Sequence, residues 1–488
     1  MSAETLLLSV MLLPLLGVVG IVAARRYPDL REGVTLVTAS LVAIMVVIMA
    51  SRFLSGEKFA LTVAEPLPGI TIAFKIEALG MLFALVAGLL WVVTSIYSIG
   101  YMRSHDEKNQ TRFYAAFAVA IACTMGIAFS DNLFTLFLFY ELLTLSTYPL
   151  VTHAGTTEAR QGGRVYLGIL LGTSIGLFLA AILATWFITG SITFQEGGIL
   201  AGKFDPAWAG LLYALFLFGI GKAALMPFHR WLPAAMVAPT PVSALLHAVA
   251  VVKAGVFTLL KVTIYIFGGD FILSNDVTGV LVWVAAATIL FASLIAMTKD
   301  NLKARLAYST VSQLSYIALG AMLASKSALV GASMHIAMHA FSKITLFFAA
   351  GAIYVATHKK LISELDGLGR AMPITFAAFF IGALSIIGLP PFGGMWSKWY
   401  LGLGAVETGQ LMLLGVLMLS SLLNIAYLLP IPIRAFFSTP ASGEHYTEIK
   451  EAPRTILLAM IITSVTCLLL FFYPDPFYQL ATLAAGGS

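Results

Sequence analysis

Apolar runs close to a helix-span in length follow one another along the whole chain, and short stretches between them carry nearly all the polar residues. A bilayer core takes roughly 20 consecutive apolar residues per spanning helix. Runs of that kind fall at residues 5–24, 34–54, 77–100, 113–130, 132–152, 163–189, 207–227, 241–266, 277–298, 304–323, 328–357, 373–404, 410–433 and 454–473. They are continuous and do not alternate apolar with polar, which means helices and not barrel strands. The pattern therefore predicts an all-α polytopic membrane protein of about 14 transmembrane helices. An even count puts both termini on one side. The first run has no basic stretch before it and is followed by Arg25 and Arg26, the reverse of a secretory leader, so it reads as a retained first helix.

Composition agrees. The chain is 60% hydrophobic and only 10% charged, against about 25% charged in a soluble domain. Its net charge of +5 comes from residues in short loops between apolar segments, which is an orientation signal and not a nucleic-acid footprint. Of 28 Lys and Arg, eighteen lie in loops that follow odd-numbered segments, whereas five (Arg52, Lys58, Lys75, Lys203 and Lys326) lie on the opposite side. Positive loops stay in the cytoplasm, so both termini are expected to face outward from a bacterial-type inner (plasma) membrane. The two cysteines, Cys123 and Cys467, sit far apart inside apolar runs. Two cannot make an iron–sulfur site, which usually takes four. No catalytic constellation, cofactor site or metal site is expected.

The remaining cations are the informative ones. Lys222, Lys253, Lys261, Lys343 and Lys398 lie within helical segments, and none of the five is Arg. Arginine cannot lose its proton in a protein, whereas a desolvated lysine can titrate. A need for fixed charge is met by either residue; a need for reversible protonation excludes Arg. Glu141 in FLFYELLTLSTYPL is the one acid far from both ends of its helix, where a charge costs about 2.5–3.5 kcal/mol even on lenient scales. It reads as a functional carboxylate, the bland alternative being a structural acid between two helices. Lys222 opens GKAALMPFHRW, and the competing reading is a lysine snorkelling to the interface. His247 and Lys253 lie on different faces of the eighth segment, about two turns apart, while Lys261, nearer the outer end, is read as snorkelling. His335, His339 and Lys343 form an i, i+4, i+8 stripe on the eleventh segment. Histidines at i, i+4 can hold zinc, but with no Glu and no third ligand nearby a proton relay is the favoured reading.

Two segments are interrupted: the seventh at Pro227 and the twelfth at Pro390 and Pro391, just before Lys398. They are five segments apart, so they cross in opposite directions. That is the arrangement of inverted five-helix repeats with function at the breaks. The expected organisation is residues 1–112 (helices 1–3), 113–266 (first repeat, helices 4–8), 277–433 (second repeat, helices 9–13) and 454–488 (helix 14). The tenth segment offers Gln313 and no carboxylate to match Glu141.

The stretches FYELLTLSTY, GKAALMPFHRWLPAAMVAPTPVSALLHA, NLKARLAYSTVSQLSY, HIAMHAFSKITLFF and GLPPFGGMWSKW resemble the antiporter-like subunits of respiratory complex I and of multisubunit Mrp-type cation/proton antiporters, with cousins in membrane-bound hydrogenases. In length the chain is similar to the D-type member of Mrp complexes, and PTPVSALLHA followed by Lys253 is similar to their large A-type member. The resemblance implies that Glu141 and Lys222 form a coupled pair, that His247, Lys253, His335, His339 and Lys343 continue the line, and that Lys398 delivers to the exit side. Lys303 matches a family lysine but lies at the interface. It further implies a proton-translocating component working with other membrane subunits and exchanging protons for Na+. The alternatives are a redox-driven proton pump of the NADH-quinone oxidoreductase or hydrogenase kind, and a non-transporting structural subunit.

Overall fold

The computed structural model describes residues 2–439, 446 and 449–487, so Met1 and Ser488, at the ends of the outermost expected blocks, lie outside the described residues. Helix starts are set by short polar side chains. Ser2, Asn132, Thr156, Asn301 and Ser325 each accept the backbone N–H three residues on, opening α1 (Ala3–Ala23), α5 (Leu133–Val151), α6 (Thr157–Thr189), α10 (Leu302–Leu323) and α11 (Lys326–Thr357). Such caps satisfy donors that a helix end leaves free. The remaining helices are α2 (Pro28–Leu54), α3 (Ala78–Ser104), α4 (Gln110–Ala128), α7 (Pro206–Gly219), α8 (Thr240–Phe267), α9 (Leu281–Thr298), α12 (Pro373–Ile387), α13 (Gly394–Glu407), α14 (Leu411–Phe437), α15 (Arg454–Phe472) and α16 (Asp475–Ala484). Among the described residues twelve helices are long and apolar enough to cross a membrane, and the interrupted segments supply the shorter apolar α7 and α12. All fourteen expected segments are present as helix.

Burial grades these helices from centre to rim. In the most apolar window of α8 and of α11 every residue is inside the protein, and in α10 94% are, against 39% in α1 and 33% in α14. α11 is the hub, packed against α10, α12, α13, α15 and α3. The rim helices turn Leu16, Val19, Phe187, Met412 and Phe472 outward, an apolar skin that suits lipid and not water.

Two features were not anticipated. Between α2 and α3 the chain forms a hairpin of β1 (Ala60–Leu67) and β2 (Ile70–Lys75), too short a pattern to stand out between two spans. It clamps the α4–α5 turn, with Lys75 N donating to Phe129 O (2.7 Å) and Asp131 N to Ala73 O (3.0 Å). The seventh segment also breaks earlier than expected. α7 ends at Gly219, and Lys222 sits in a single 3-10 turn, Gly221–Ala223, with Pro227 in irregular chain beyond it. Neighbouring side chains take up the freed backbone groups: Tyr140 Oη accepts from Lys222 N (3.1 Å) and Trp231 Nε1 donates to Gly221 O (2.9 Å). Broken backbone at bilayer depth requires such partners.

The second break, between α12 and α13, falls at Pro390 and Pro391 as expected. Each break is wedged by a glycine. A Cβ at Gly255 of α8 would overlap the backbone of Lys222 and Ala223, and one at Gly394 would overlap the Ser385 carbonyl. Gly255→Ala and Gly394→Ala are each expected to cost about 1–3 kcal/mol or more through overpacking, read as a lowered thermal unfolding midpoint in detergent. Gly168→Ala in α6, where a methyl meets open space, should leave the midpoint unchanged or raise it slightly.

Candidate functional site

The buried lysines occupy the densest part of the bundle. Lys222, Lys253, Lys261 and Lys343 are all 0% exposed, so the snorkelling reading of Lys222 and the snorkelling expectation for Lys261 are both corrected. A long side chain reaches water only where a path of rim residues allows it; here the ends of α3 and α4 close over Lys261.

At one end of the row, the Lys222 ammonium donates to Tyr140 O (2.7 Å) and to Thr144 Oγ1 (2.6 Å) of α5 and lies 3.2 Å from the centre of the Tyr140 ring. Glu141 stands on the same helix, yet both its carboxylate oxygens are buried without a hydrogen-bond partner. The two expected partners are thus neighbours through Tyr140 and Thr144 and not a closed ion pair. Their helices are held together by the hydroxyl, the ring and the main chain.

The centre is more tightly joined. Lys253 Nζ lies 2.7 Å from His339 Nδ1, which bridges α8 and α11. The His339 and His335 rings are 5.7 Å apart along α11. His335 is gripped on both nitrogens, with Nδ1 2.8 Å from Ser397 Oγ of α13 and Nε2 3.1 Å from Gln313 Oε1 of α10. One turn beyond His339, Lys343 donates to Ser309 Oγ (2.8 Å), which lies 3.0 Å from Tyr427 Oη, and Tyr427 gives its one proton to Asn424 Oδ1. Lys398 closes the row beside the second break, donating to Ile387 O (3.0 Å), the carbonyl at the end of α12, and to Ser421 Oγ (3.1 Å). His247 stays apart: it lies in a π-helical turn against Phe347, with neither ring nitrogen partnered.

Tyr140, Thr144, Ser309, Gln313, Ser397, Tyr427 and Asn424 therefore belong to the site, and of these only Gln313 stood out beforehand. Hydroxyls and amides are common in membrane helices, so nothing marks which of them will face a lysine until the helices are packed. Among the described residues no third His, Cys, Asp or Glu joins His335 and His339 in a metal-binding group. What the arrangement offers is a succession of amines, imidazoles and hydroxyls able to give and take a proton, with carbonyl oxygens as fixed acceptors, inside an apolar surround.

A cavity of about 290 Å³ opens on the cation-rich side, lined by Glu107, Thr240, Lys303, Lys359, Lys360 and Tyr354 among others. Thr240 starts α8, two turns before His247. In the adjoining loops, His153 Nε2 lies 3.7 Å from Glu107 Oε2. Burial pushes the Glu107 carboxyl up and the His153 imidazole down, so both lean towards their neutral forms.

Residues 130–424 match the family described as NADH:quinone oxidoreductase/Mrp antiporter, TM, and residues 68–114 match the N-terminal region of complex I chain 5. The chain is 34% identical to NADH-quinone oxidoreductase subunit N of Desulforudis audaxviator, covering 82% of this chain and 80% of that one. It is 30% identical to hydrogenase-4 component B of Escherichia coli, covering 83% of this chain and 63% of that one. A chain of the Mrp complex from Dietzia sp. shares the fold, with a TM-score of 0.87 at 24% identity over 100% of this chain and 97% of that one.

The double grip on His335 is open to test. Ser397→Ala or Gln313→Ala leaves a buried ring nitrogen unpartnered, and each is expected to cost about 1–3 kcal/mol of stability, measured by unfolding in detergent. Ser397→Thr, which keeps the hydroxyl, should restore most of the loss.

Proposed function

Because the chain belongs to the antiporter-like membrane-subunit family shared by NADH:quinone oxidoreductases and Mrp antiporters, we propose that it moves protons along the buried lysine and histidine row as one component of a multisubunit Mrp-type Na+/H+ antiporter. The observation that carries this reading is the Lys253–His339 contact at 2.7 Å, flanked on both sides by further buried, hydrogen-bonded lysines. A proton taken up near Lys222 passes to Lys253, then through His339 and His335 towards Lys398. Glu141 sets the field at the Lys222 end: a buried carboxylate favours an ammonium nearby, and its protonation withdraws that support. His247 and Lys343 serve as side stations facing the same core. Coupling between stations is electrostatic, with little helix movement, since like charges in a low-dielectric interior act strongly on one another.

The architecture supports placing two inverted repeats, α4–α8 and α9–α14, around this row: each opens with a tightly packed helix pair, α4 with α5 and α9 with α10, and each holds a broken helix with a lysine beside the break. Both termini face outward, away from the cation-rich loops.

A redox-driven role is the second reading. It is favoured by the 34% identity to an NADH-quinone oxidoreductase component over 80% of that protein's length. The two readings share the row and differ in what drives it, and the proteins that co-purify with the chain separate them: quinone-reductase or hydrogenase partners overturn the antiporter assignment.

In the assembled complex reconstituted in liposomes, Glu141→Ala, Lys222→Ala and Lys253→Arg are each expected to lower proton transport on the order of 10²-fold with assembly intact. Lys253→Arg is the sharpest of the three, because it keeps the charge and removes the exchange. Full transport by assembled Lys253→Arg complexes would sink the proton row; loss of assembly before loss of transport would leave only a structural role.

A further inference from the structure

α8 carries a second buried lysine that the row above does not use. Lys253, Phe257 and Lys261 stand at i, i+4 and i+8, one above the other on a single face, so the two lysines are about 12 Å apart along the helix axis. Lys261 Nζ lies 3.2 Å from Glu77 Oε2, donates to Ser130 O (2.5 Å) and sits 4.4 Å from the centre of the Phe194 ring. Glu77 precedes α3 and is 9% exposed; Ser130 and Asp131 form the turn that the β1–β2 hairpin clamps. Beside this pair Asp131 Oδ1 is buried with no hydrogen-bond partner. The pair therefore lies between the core and the hairpin-side surface, with carboxylates on its outer side.

What separates it from Lys253 is aromatic. The Phe257 ring packs on Phe83 of α3 with centres 4.9 Å apart, and its own centre is 5.6 Å from Lys261 Nζ. Both phenylalanines are fully buried. A layer of aromatic rings between two protonatable amines blocks a proton, because the rings offer it no hydrogen-bonded partner within reach.

Resting on the proton-row reading, we propose that Lys261 and Glu77 form a release gate on the hairpin side of the membrane, fed from Lys253 across the Phe83–Phe257 barrier. In one cycle the Lys261 ammonium gives its proton to the Glu77 carboxylate, which passes it to outside water and is again ionised. The neutral Lys261 amine then takes the proton carried by Lys253. One N–H bond breaks on Lys253 and one forms on Lys261, and no other reactant is consumed. α8 thereby has an outlet of its own, distinct from the Lys398 end of the row. A fixed ion pair that merely ties α8 to α3 is the competing account, and arginine at position 261 separates the two, since it keeps the pair and cannot release a proton.

The test uses the whole complex in liposomes, with proton flux read by a pH-sensitive dye and assembly checked on the same preparation. Lys261→Arg should assemble normally and transport on the order of 10²-fold more slowly; full transport by the assembled variant overturns the gate. Phe257→Ala provides an independent reading should Lys261→Arg fail to assemble. Removing the barrier is expected to raise passive proton leak about tenfold, a readout that a structural pair would not move, and an unchanged leak overturns the proposal. Lys253→Arg run alongside keeps the two claims apart: if it is inactive while Lys261→Arg is active, only the gate fails, and if both are active the row itself fails.

Discussion

Holding ionisable groups away from water is costly, and the architecture of this bundle follows from that cost. A single charge at the bilayer centre costs about 2.5–3.5 kcal/mol on the most lenient scale, and this chain buries several amines that can carry one. The fold answers by building two shells. α8, α10 and α11 hold the middle of the polar row and are almost wholly enclosed, while α1, α2, α14 and α15 turn most of their surface outward. Gly255 and Gly394 let the broken segments pack backbone to backbone within that enclosure.

The same constraint explains the breaks. Ending α7 and α12 inside the protein frees backbone carbonyls and amides, which in hydrocarbon would be unsatisfied. A lysine stands beside each break, and at the second it is the direct partner. Lys398 takes the carbonyl of Ile387 at the end of α12, and Lys222 sits in the turn after α7, its main chain held by Tyr140. At the second break, helix end and ammonium solve each other's problem, whereas at the first the Lys222 ammonium bonds to Tyr140 O and Thr144 of α5, and Tyr140 and Trp231 take up the freed backbone groups. Where no break is at hand, hydroxyls do the same work, as Ser309 does for Lys343.

How much of this could be read from the chain follows from which signals are one-dimensional. Span length and apolar continuity depend on sequence alone, so the fourteen segments, the lysines within them and the proline break before Lys398 were legible. The stripe His335, His339, Lys343 was legible too, because helical spacing fixes which side chains share a face. What was hidden depends on neighbours distant in sequence. Lys261 looked like a residue with access to the interface, and only the approach of Glu77, 184 positions earlier, shows otherwise. Pro227 looked like the break itself, yet the helix had already ended at Gly219, which packs against the backbone of Leu177 and Phe178 of α6, with α8 against Lys222 and Ala223 just beyond. Ser397 and Tyr427 gave no sign, since a hydroxyl in a membrane helix is unremarkable until a partner is placed against it.

Among the described residues the carboxylates close to the five core lysines are Glu141 near Lys222, and Glu77 and Asp131 beside Lys261. Lys253, Lys343 and Lys398 have nitrogen, hydroxyl and carbonyl partners instead. Two cations one helical turn apart, about 6 Å, repel by about 3 kcal/mol at an effective dielectric of 20, which is roughly a hundredfold in occupancy. The middle of the row therefore holds a proton on one site only by discouraging it on the next. On the proposed reading, that repulsion is what makes the row directional in use: a proton arriving at the Glu141 end, where it is compensated, displaces one from the uncompensated centre. A row with a counter-ion at every lysine would store protons well and pass none of them on.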